Sequence, residues 1–373
     1  MNNKFDFKKS LIFSFCLTAF FIMLFILTEK RGGIFLAGKI IYSLFLGVLS
    51  FFVFYKGKIS FYRSILFITT AISFIIVYKT KLWGATKDFF FSPFENSPEV
   101  PICHIALASN FAITFFDQLK AAFIYGWSQW GFYTIGVLYI FSTLSVGQAF
   151  CSWVCFYGGI DEGFSKIFSK QILKINTVPK IIRDFPVGFW IFLMLASIVL
   201  FEPVFCLWFC PYKLTTAFLN KGDLFIYKMQ IIIFVSIGII FLVVLPLLLK
   251  KRTFCSFICP FGGFISVAGR INPFKVYRDF NKCEKCGKCI EVCPNFAITK
   301  EYEVLSYCVK CGKCVDNCEN NAISIGIKSK NKSIEKISYI IFTLSVFLFA
   351  GAISSFFIPD AIVILLKLLK IAG

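Results

Sequence analysis

The sequence predicts a mainly α-helical membrane protein: a polytopic bundle of about seven spanning helices that carries one small α+β domain. Three observations lead there. The 373 residues are 58% hydrophobic, with 51 Phe and a mean hydropathy of +0.79, far above a water-soluble average. The apolar residues fall in runs of membrane length. A four-cysteine motif is written twice in the last third of the chain.

Met1–Ser10 is short and basic. Leu11–Leu27 is the first apolar run, and the following Thr28-Glu-Lys-Arg-Gly-Gly supplies no small-x-small cleavage site, so the run reads as a retained anchor. Gly33–Tyr55, Ser64–Tyr78, Gln129–Phe150, Pro186–Phe205, Phe225–Leu249 and Ile337–Ile358 complete seven expected spans. Lys79–Ser128 is a connector with three prolines, and its apolar second half, Ile105–Tyr125, is expected to lie along the interface. Ile362–Ile371 reads as a surface helix on the outer side. The expected organisation is a helical domain over 1–270, a small domain over 271–330 and a C-terminal helix with its tail over 331–373.

The net charge is +19. No basic stripe is interleaved with exposed aromatics, which argues against a nucleic-acid partner. The bilayer explains the charge better. With the N-terminus inside, segments 1–10, 56–63, 151–185 and 250–336 hold 27 of the 39 Lys and Arg, the bias expected of cytoplasmic segments. The expectation is a multi-pass protein of the cytoplasmic membrane, its N-terminus and small domain in the cytoplasm.

The doubled motif reads Cys283-x2-Cys286-x2-Cys289-x3-Cys293-Pro, then Cys308-x2-Cys311-x2-Cys314-x3-Cys318. This is the bacterial ferredoxin spacing, repeated after 25 positions, and the tails agree as well: Asn295-Phe-Ala-Ile beside Asn320-Asn-Ala-Ile. Three closely spaced thiolates wrap three corners of a cubane, and the fourth reaches across to the other cluster. Cys283, Cys286, Cys289 and Cys318 are therefore assigned to one [4Fe–4S] cluster, and Cys308, Cys311, Cys314 and Cys293 to a second. Zinc favours paired C-x2-C knuckles, often with His, and no His lies nearby; a disulfide scaffold needs no repeated triple. Glu319 stands where a second Pro might follow Cys318.

Six more cysteines form three C-x3-C pairs at span ends: Cys151/Cys155, Cys206/Cys210 and Cys255/Cys259. On a helix, i and i+4 share a face, so each pair supplies half the ligands of a metal or cubane site. The topology puts Cys151/Cys155 and Cys255/Cys259 together on the inner side and Cys206/Cys210 on the outer. Gly158-Gly159 and Gly262-Gly263 follow the inner pairs, where they are expected to ease tight turns out of the bilayer. An additional metal or iron–sulfur centre and simple packing of small polarizable thiols both suit the inner quartet. For Cys206/Cys210 a disulfide is a third option.

From about Gln148 to Ala322 the chain resembles the membrane iron–sulfur subunits of the NapH/MauN type, related to the NosR and CcoG groups. Those families join C-x3-C-P motifs at span ends to a cytoplasmic ferredoxin-like domain. The resemblance implies electron transfer linked to quinone or to a membrane or periplasmic redox partner. Two features depart from the pattern: Phe156 replaces Pro after Cys155, and Cys206/Cys210 is an added outer pair.

Other residues are read as structural. Glu202 faces water at a helix end, His104 is solvated in its loop, and Asp161-Glu162 is acid at a helix N-terminus. No C-x-x-C-H argues for covalent haem and no Gly-x-Gly-x-x-Gly for a dinucleotide; Gly84-Ala85-Thr86 lacks the residue a covalent flavin site needs. Lys282, Lys285, Lys288, Lys310 and Lys313 crowd the ligands and offer a docking face for an acidic carrier of the ferredoxin or flavodoxin type. The predicted function is single-electron transfer between a cytoplasmic carrier and a membrane-side acceptor. The rival is a maturation or sensing protein that uses the same clusters without sustained flux. No nucleophile or acid–base pair marks bond-making catalysis.

Overall fold

The computed structural model describes residues 5–369, apart from 90–103, most of 110–139, 203, 212–223 and 330; for residues 78–89, 106–107, 224 and 227 it describes the backbone alone. Among the described residues six helices are long and apolar enough to cross a membrane. The chain is a mainly α, multi-pass membrane protein with a small α+β unit.

The spans begin with α1 (Phe7–Thr28), α2 (Gly33–Lys56) and α3 (Ile59–Phe89). In α1 the buried positions Ser10, Ser14, Leu17, Phe21 and Phe25 form a single stripe against α2. Small residues let the two backbones approach: Ser14 donates to the Gly47 carbonyl at this seam. The opposite face of α1 leaves Phe15 and Leu27 more than two-thirds exposed, which suits lipid and not water.

A six-residue helix α4 (His104–Ser109) comes next. The expected interfacial connector mostly lies outside the described residues, but this start of it is buried, with Ile105 and Ala108 in the core and the Ala108 carbonyl accepting from Trp190 Nε1 at 2.9 Å. Further along, Phe116, Phe123 and Ile124 are exposed. The expected span over 129–150 also lies largely outside the described residues; Cys103 lies wholly outside.

Helices α5 (Phe150–Trp153) and α6 (Phe156–Phe164) flank Cys155. The span α7 (Lys180–Leu200) ends with Phe201 in the left-handed conformation. A short helix α8 (Val204–Trp208) then folds back beneath it, pinned by Val204 N donating to Ser197 Oγ. Helix α9 (Leu224–Ile237) runs through a wide π turn (Gly238–Val244) to Leu249. Helices α10 (Thr253–Phe257) and α11 (Pro260–Ala268) flank Cys259 as α5 and α6 flank Cys155.

The small unit is closed by an antiparallel pair, β1 (Lys275–Arg278) with β2 (Ile323–Gly326), in the register Val276↔Ile325. Between the strands lie α12 (Lys288–Val292) and α13 (Lys313–Asp316), one in each cysteine motif. The repeat is structural: Lys285 and Lys310, Gly287 and Gly312, and Phe296 and Asn321 are three pairs of equivalent positions, and all six have positive φ.

The last span is α14 (Lys332–Ser354), and α15 (Ile358–Leu368) turns back over the bundle. As expected, α15 is a surface helix, and it is anchored to the α1–α2 connection by Arg31 Nη1 with Asp360 Oδ1 at 3.0 Å. The starts of α3, α7 and α14 and the end of α9 all reach the small unit. One membrane face therefore collects the alternate ends of these spans, and α15 marks the other.

The Gly pairs after Cys155 and Cys259 do not make turns. They sit inside α6 and α11 and permit close helix approach. A Cβ on Gly159 would lie 2.7 Å from the Phe67 carbonyl oxygen, and one on Gly263 only 2.2 Å from that of Pro186. Gly263→Ala must therefore separate α11 from α7, and overpacking of this kind costs about 1–3 kcal/mol. Gly163, in α6, has open space around it, so Gly163→Ala is expected to be neutral or stabilising by up to about 1 kcal/mol. Thermal unfolding of both variants in one detergent checks the opposite signs.

Candidate iron–sulfur sites

The fourteen motif cysteines do not disperse. Cys283, Cys286, Cys289 and Cys318 line one cavity at the water-facing end of the small unit. Cys293, Cys308, Cys311 and Cys314 line a second. The exchange comes from the helices: Cys289 on α12 faces the first cavity and Cys293, just beyond it, the second, while Cys314 and Cys318 around α13 do the reverse. Each crossing thiol accepts a backbone N–H in the same way, Ala297 to Cys293 and Ala322 to Cys318, both at 3.3 Å.

The two cavities differ in surroundings. The first is open, with Cys286 exposed. Arg278 reaches in from β1, donating to Cys283 Sγ at 3.3 Å and to Cys289 Sγ at 3.1 Å, its cation over the Tyr302 ring. The second is walled by Val276, Ile298, Val304 and Val309. Glu319, in place of the second Pro, pairs with Lys288 of the other motif.

Cys151, Cys155, Cys255 and Cys259 line a third cavity. They do not sit as i and i+4 on continuous helices. Each pair straddles a break, the first cysteine on a helical turn and the second capping the next helix in extended backbone: φ −65°, ψ 117° for Cys155 and φ −66°, ψ 114° for Cys259. A residue before Pro is confined to this region, which explains Cys259-Pro260; Cys155 adopts it before Phe156 without that constraint. The breaks aim two helix N-termini at the thiols. The N–H groups of Tyr157 and Gly158 donate to Cys155, those of Phe261 and Gly262 to Cys259. Helix N-termini favour anions.

Charged side chains surround this quartet. Arg252 is fully buried, donates to the Cys151 carbonyl, and lies 3.4 Å from Cys255 Sγ; its Nε and Nη1 are without partners. Asp161 holds the backbone N–H groups of Thr253 (3.2 Å) and Cys255 (3.0 Å). Burial pushes its carboxyl up to about 7, against those donors and Arg252. Glu162 pairs with Arg63 and Ser64, both buried. Both acids lie mid-helix in α6 rather than at its N-terminus, and they brace the site. Burial raises the Cys155 thiol to about 11, partly opposed by the Gly158 N–H and Arg252.

Two residues were placed differently by the sequence. His104 is not solvated: it is buried among Phe150, Phe156 and Phe261, with Nε2 at 3.1 Å from Cys155 Sγ. The sole signal for it was its uniqueness beside an apolar run. Cys206/Cys210 does not stand apart at the far boundary. The fold-back of α8 brings Cys210 Sγ to 3.1 Å from Tyr157 Oη, and the Tyr157 ring stacks on Phe254 next to Cys255. Glu202 is exposed, as expected. Lys310 is buried on Asn272 (2.7 Å) and faces no partner surface.

The second and third cavities share walls, since Asn295 and Val309 line both. The junction is clamped from both thiol-bearing segments. Lys251 Nζ reaches the carbonyls of Ile290 (3.4 Å), Glu291 (2.5 Å) and Cys293 (2.9 Å), and Arg252 N donates to the Pro294 carbonyl at 2.8 Å. Ser152 Oγ donates to the Val309 carbonyl at 2.6 Å, and Arg63 Nε to that of Cys311 at 3.1 Å.

Comparison with known proteins agrees with this geometry. A 4Fe–4S binding domain profile matches residues 276–299 and 302–324. A second 4Fe–4S binding domain profile matches 129–175, 185–228 and 231–278, each holding one C-x3-C pair. Cys206/Cys210 is thus part of the recurring unit and not an addition to it. The fold and these matches define a membrane helix bundle that carries 4Fe–4S binding domains. The putative electron transport protein YccM of Escherichia coli is 24% identical over 43% of this chain and 44% of its own length. The methylamine utilization ferredoxin-type protein MauN is 26% identical in Methylobacillus flagellatus, over 40% of this chain and 48% of its own. Its Paracoccus denitrificans counterpart is 37% identical over 13% and 18%. These similarities are to membrane iron–sulfur proteins of the MauN type. The chain spans about half the length of these two longer-matching relatives, and no solved structure matches it.

Lys251→Met keeps the apolar stem but leaves the buried Cys293 carbonyl and the part-buried carbonyls of Ile290 and Glu291 without their donor, a loss of about 1–3 kcal/mol. The variant is expected to release the small unit from the bundle. Limited proteolysis in membranes checks this: cleavage near residues 327–331 should accelerate while the spans stay protected.

Proposed function

We propose that the chain connects a water-soluble electron carrier to a membrane-side acceptor through three iron–sulfur centres. Cys283, Cys286, Cys289 and Cys318 would hold the outermost centre. Cys293, Cys308, Cys311 and Cys314 would hold the middle one, and Cys151, Cys155, Cys255 and Cys259 the one at the membrane. Bound at such thiols, a [4Fe–4S] cluster takes up and gives back one electron. The carrying observation is the row of three cavities, each lined by four cysteines, with the second and third sharing a wall.

The protein's own residues set the terms of transfer. Arg278 and the exposure of Cys286 favour added negative charge at the water-facing end, and burial in apolar walls disfavours it at the middle quartet. Lys282, Lys285 and Lys288 surround the open cavity as the docking face for an acidic ferredoxin- or flavodoxin-type carrier. On the membrane side, α7 carries a groove lined by Lys180, Asp184, Phe185, Gly188, Phe189 and Phe192. Asp184 accepts from Tyr307 at 2.9 Å, and Tyr307 lines the membrane quartet's cavity. An aromatic groove with a carboxylate at one end suits a quinone ring and tail. The Lys and Arg bias supports a cytoplasmic small unit in the inner membrane.

His104 is read as a hydrogen-bond donor to the Cys155 sulfur, which favours the reduced form of that centre. His104→Ala is expected to lower the midpoint of the membrane centre by about 50 mV, roughly 1 kcal/mol for one electron, with partial return in His104→Gln. An EPR-monitored redox titration that finds equal midpoints in all three proteins would remove this role.

Iron and sulfide counting on protein purified without oxygen tests the whole proposal. About twelve irons per chain are expected, four for each quartet. A Cys151→Ala/Cys255→Ala variant should fall to about eight while keeping the EPR signals of the small unit. About eight irons in the parent protein would overturn the membrane centre. Proteoliposomes that pass sustained current from reduced carrier to quinone support the conduit; clusters that titrate without flux favour the sensing or maturation reading.

A further inference from the structure

A lysine-lined basin lies beside the ferredoxin unit, none of its lining residues a cysteine, and it meets the first thiol cavity at Asn317. It is open, about 1050 Å³ in volume. Lys56, Lys58, Lys166, Lys170, Lys174 and Lys250 line it from the bundle side, and Lys313 from α13. Against these seven cations stand two carboxylates, Glu291 and Asp316, and Asp316 is engaged by the Ser60 N–H at 2.8 Å. Among the described residues only Lys166 of the seven forms an ion pair, with Glu162. So many ammonium groups in one basin repel each other unless an anion sits among them.

The depth of the basin identifies the anion's source. Lys56 closes α2, Lys58 and Ser60 stand at the start of α3, and Lys250 follows the end of α9. The floor is therefore the end of three membrane spans. The loop over 165–176 that supplies Lys166, Lys170 and Lys174 is tied to the same depth: the N–H groups of Ile172 and Leu173 both donate to the Leu248 carbonyl at 3.0 Å. Between its lysines this loop exposes Ile167, Phe168, Ile172, Leu173 and Ile175, and Phe61 of α3 is exposed at the rim. Such side chains in water are unfavourable, whereas acyl chains would cover them. Basic pockets between spans at a membrane face are headgroup sites.

We infer that this basin binds an anionic phospholipid of the adjoining leaflet, its phosphodiester head among the lysines and its acyl chains against Phe61 and the 165–176 loop. A lipid held there would bridge the ends of α2, α3 and α9 to the ferredoxin unit through Lys313.

The test uses the full chain in nanodiscs of phosphatidylcholine with a small fraction of phosphatidylglycerol or cardiolipin, with bound lipid counted by native mass spectrometry. The parent protein should retain anionic lipid in preference to phosphatidylcholine. Lys170→Gln/Lys174→Gln, both surface residues, should weaken that retention about thirty-fold, about five-fold for each lysine. The same charge change at Lys30→Gln/Lys367→Gln, beside the opposite face, should leave it unchanged. Equal retention of neutral and anionic lipid would overturn the inference, as would equal weakening in the two variants. Displacement of the lipid by micromolar pyrophosphate would assign the basin to a free anion instead. Displacement by an acidic flavodoxin would make it a protein-docking surface, and either result overturns the lipid site.

Discussion

Two consecutive buried cations, Lys251 and Arg252, hold the redox core of this protein together. They follow the last turn of α9, where Lys250 takes the left-handed conformation that ends the helix. Burying an ammonium and a guanidinium is costly unless both are richly bonded. Lys251 is bonded by three carbonyls of the ferredoxin unit, and Arg252 reaches the Cys151 carbonyl and the Cys255 sulfur through Nη2, leaving its other two guanidinium nitrogens unbonded. One pair of residues thus fixes the middle and membrane quartets relative to each other. The remaining cations, Arg63 on the Cys311 carbonyl and Glu162 and Arg278 on Cys283 and Cys289, extend the same logic to the two flanking positions.

The three quartets are not equivalent environments. An open rim and a guanidinium face the outermost thiols. Valine and isoleucine wall the middle set. Two helix N-termini, an arginine and a histidine converge on the set at the membrane. Solvent exposure, net charge and hydrogen bonds to sulfur are the levers by which a protein sets the potential of an iron–sulfur centre, and the three quartets differ in all of them.

Much of this was legible in the sequence because cysteine spacing encodes local geometry directly. Turns of fixed length carry three thiols to one side, and the helix between the third and fourth carries the last to the other; Cys293 and Cys318 could be paired with the opposite quartet before any coordinates. The union of Cys151/Cys155 with Cys255/Cys259 followed from counting spans. What remained hidden depended on contacts between distant segments. Nothing local to His104 announces that α4 enters the core, because its partners Phe150, Phe156 and Phe261 come from two other elements. The fold-back that carries Cys210 to Tyr157 depends on the left-handed end at Phe201, a residue type that rarely adopts that conformation. The glycine pairs were visible, but their role was misread: they answer the proximity of α3 and α7, which no local rule discloses.

The helix breaks at Cys155 and Cys259 explain why thiols stand at these positions at all. At membrane depth, irregular backbone survives only where protein surrounds it and its polar groups find partners. A break frees N–H groups at the start of the following helix, and here sulfur accepts them: Tyr157 and Gly158 on one side, Phe261 and Gly262 on the other. The cysteine is thereby the cap that makes the break tolerable, and the break turns its thiol toward the shared cavity. Proline after the cysteine enforces the extended conformation but is not required for it, since Cys155 reaches within a few degrees of the Cys259 backbone ahead of a phenylalanine. The two inner copies of the unit therefore share the capping thiol and a close-packed glycine behind it, and they hold the same turn with and without the proline.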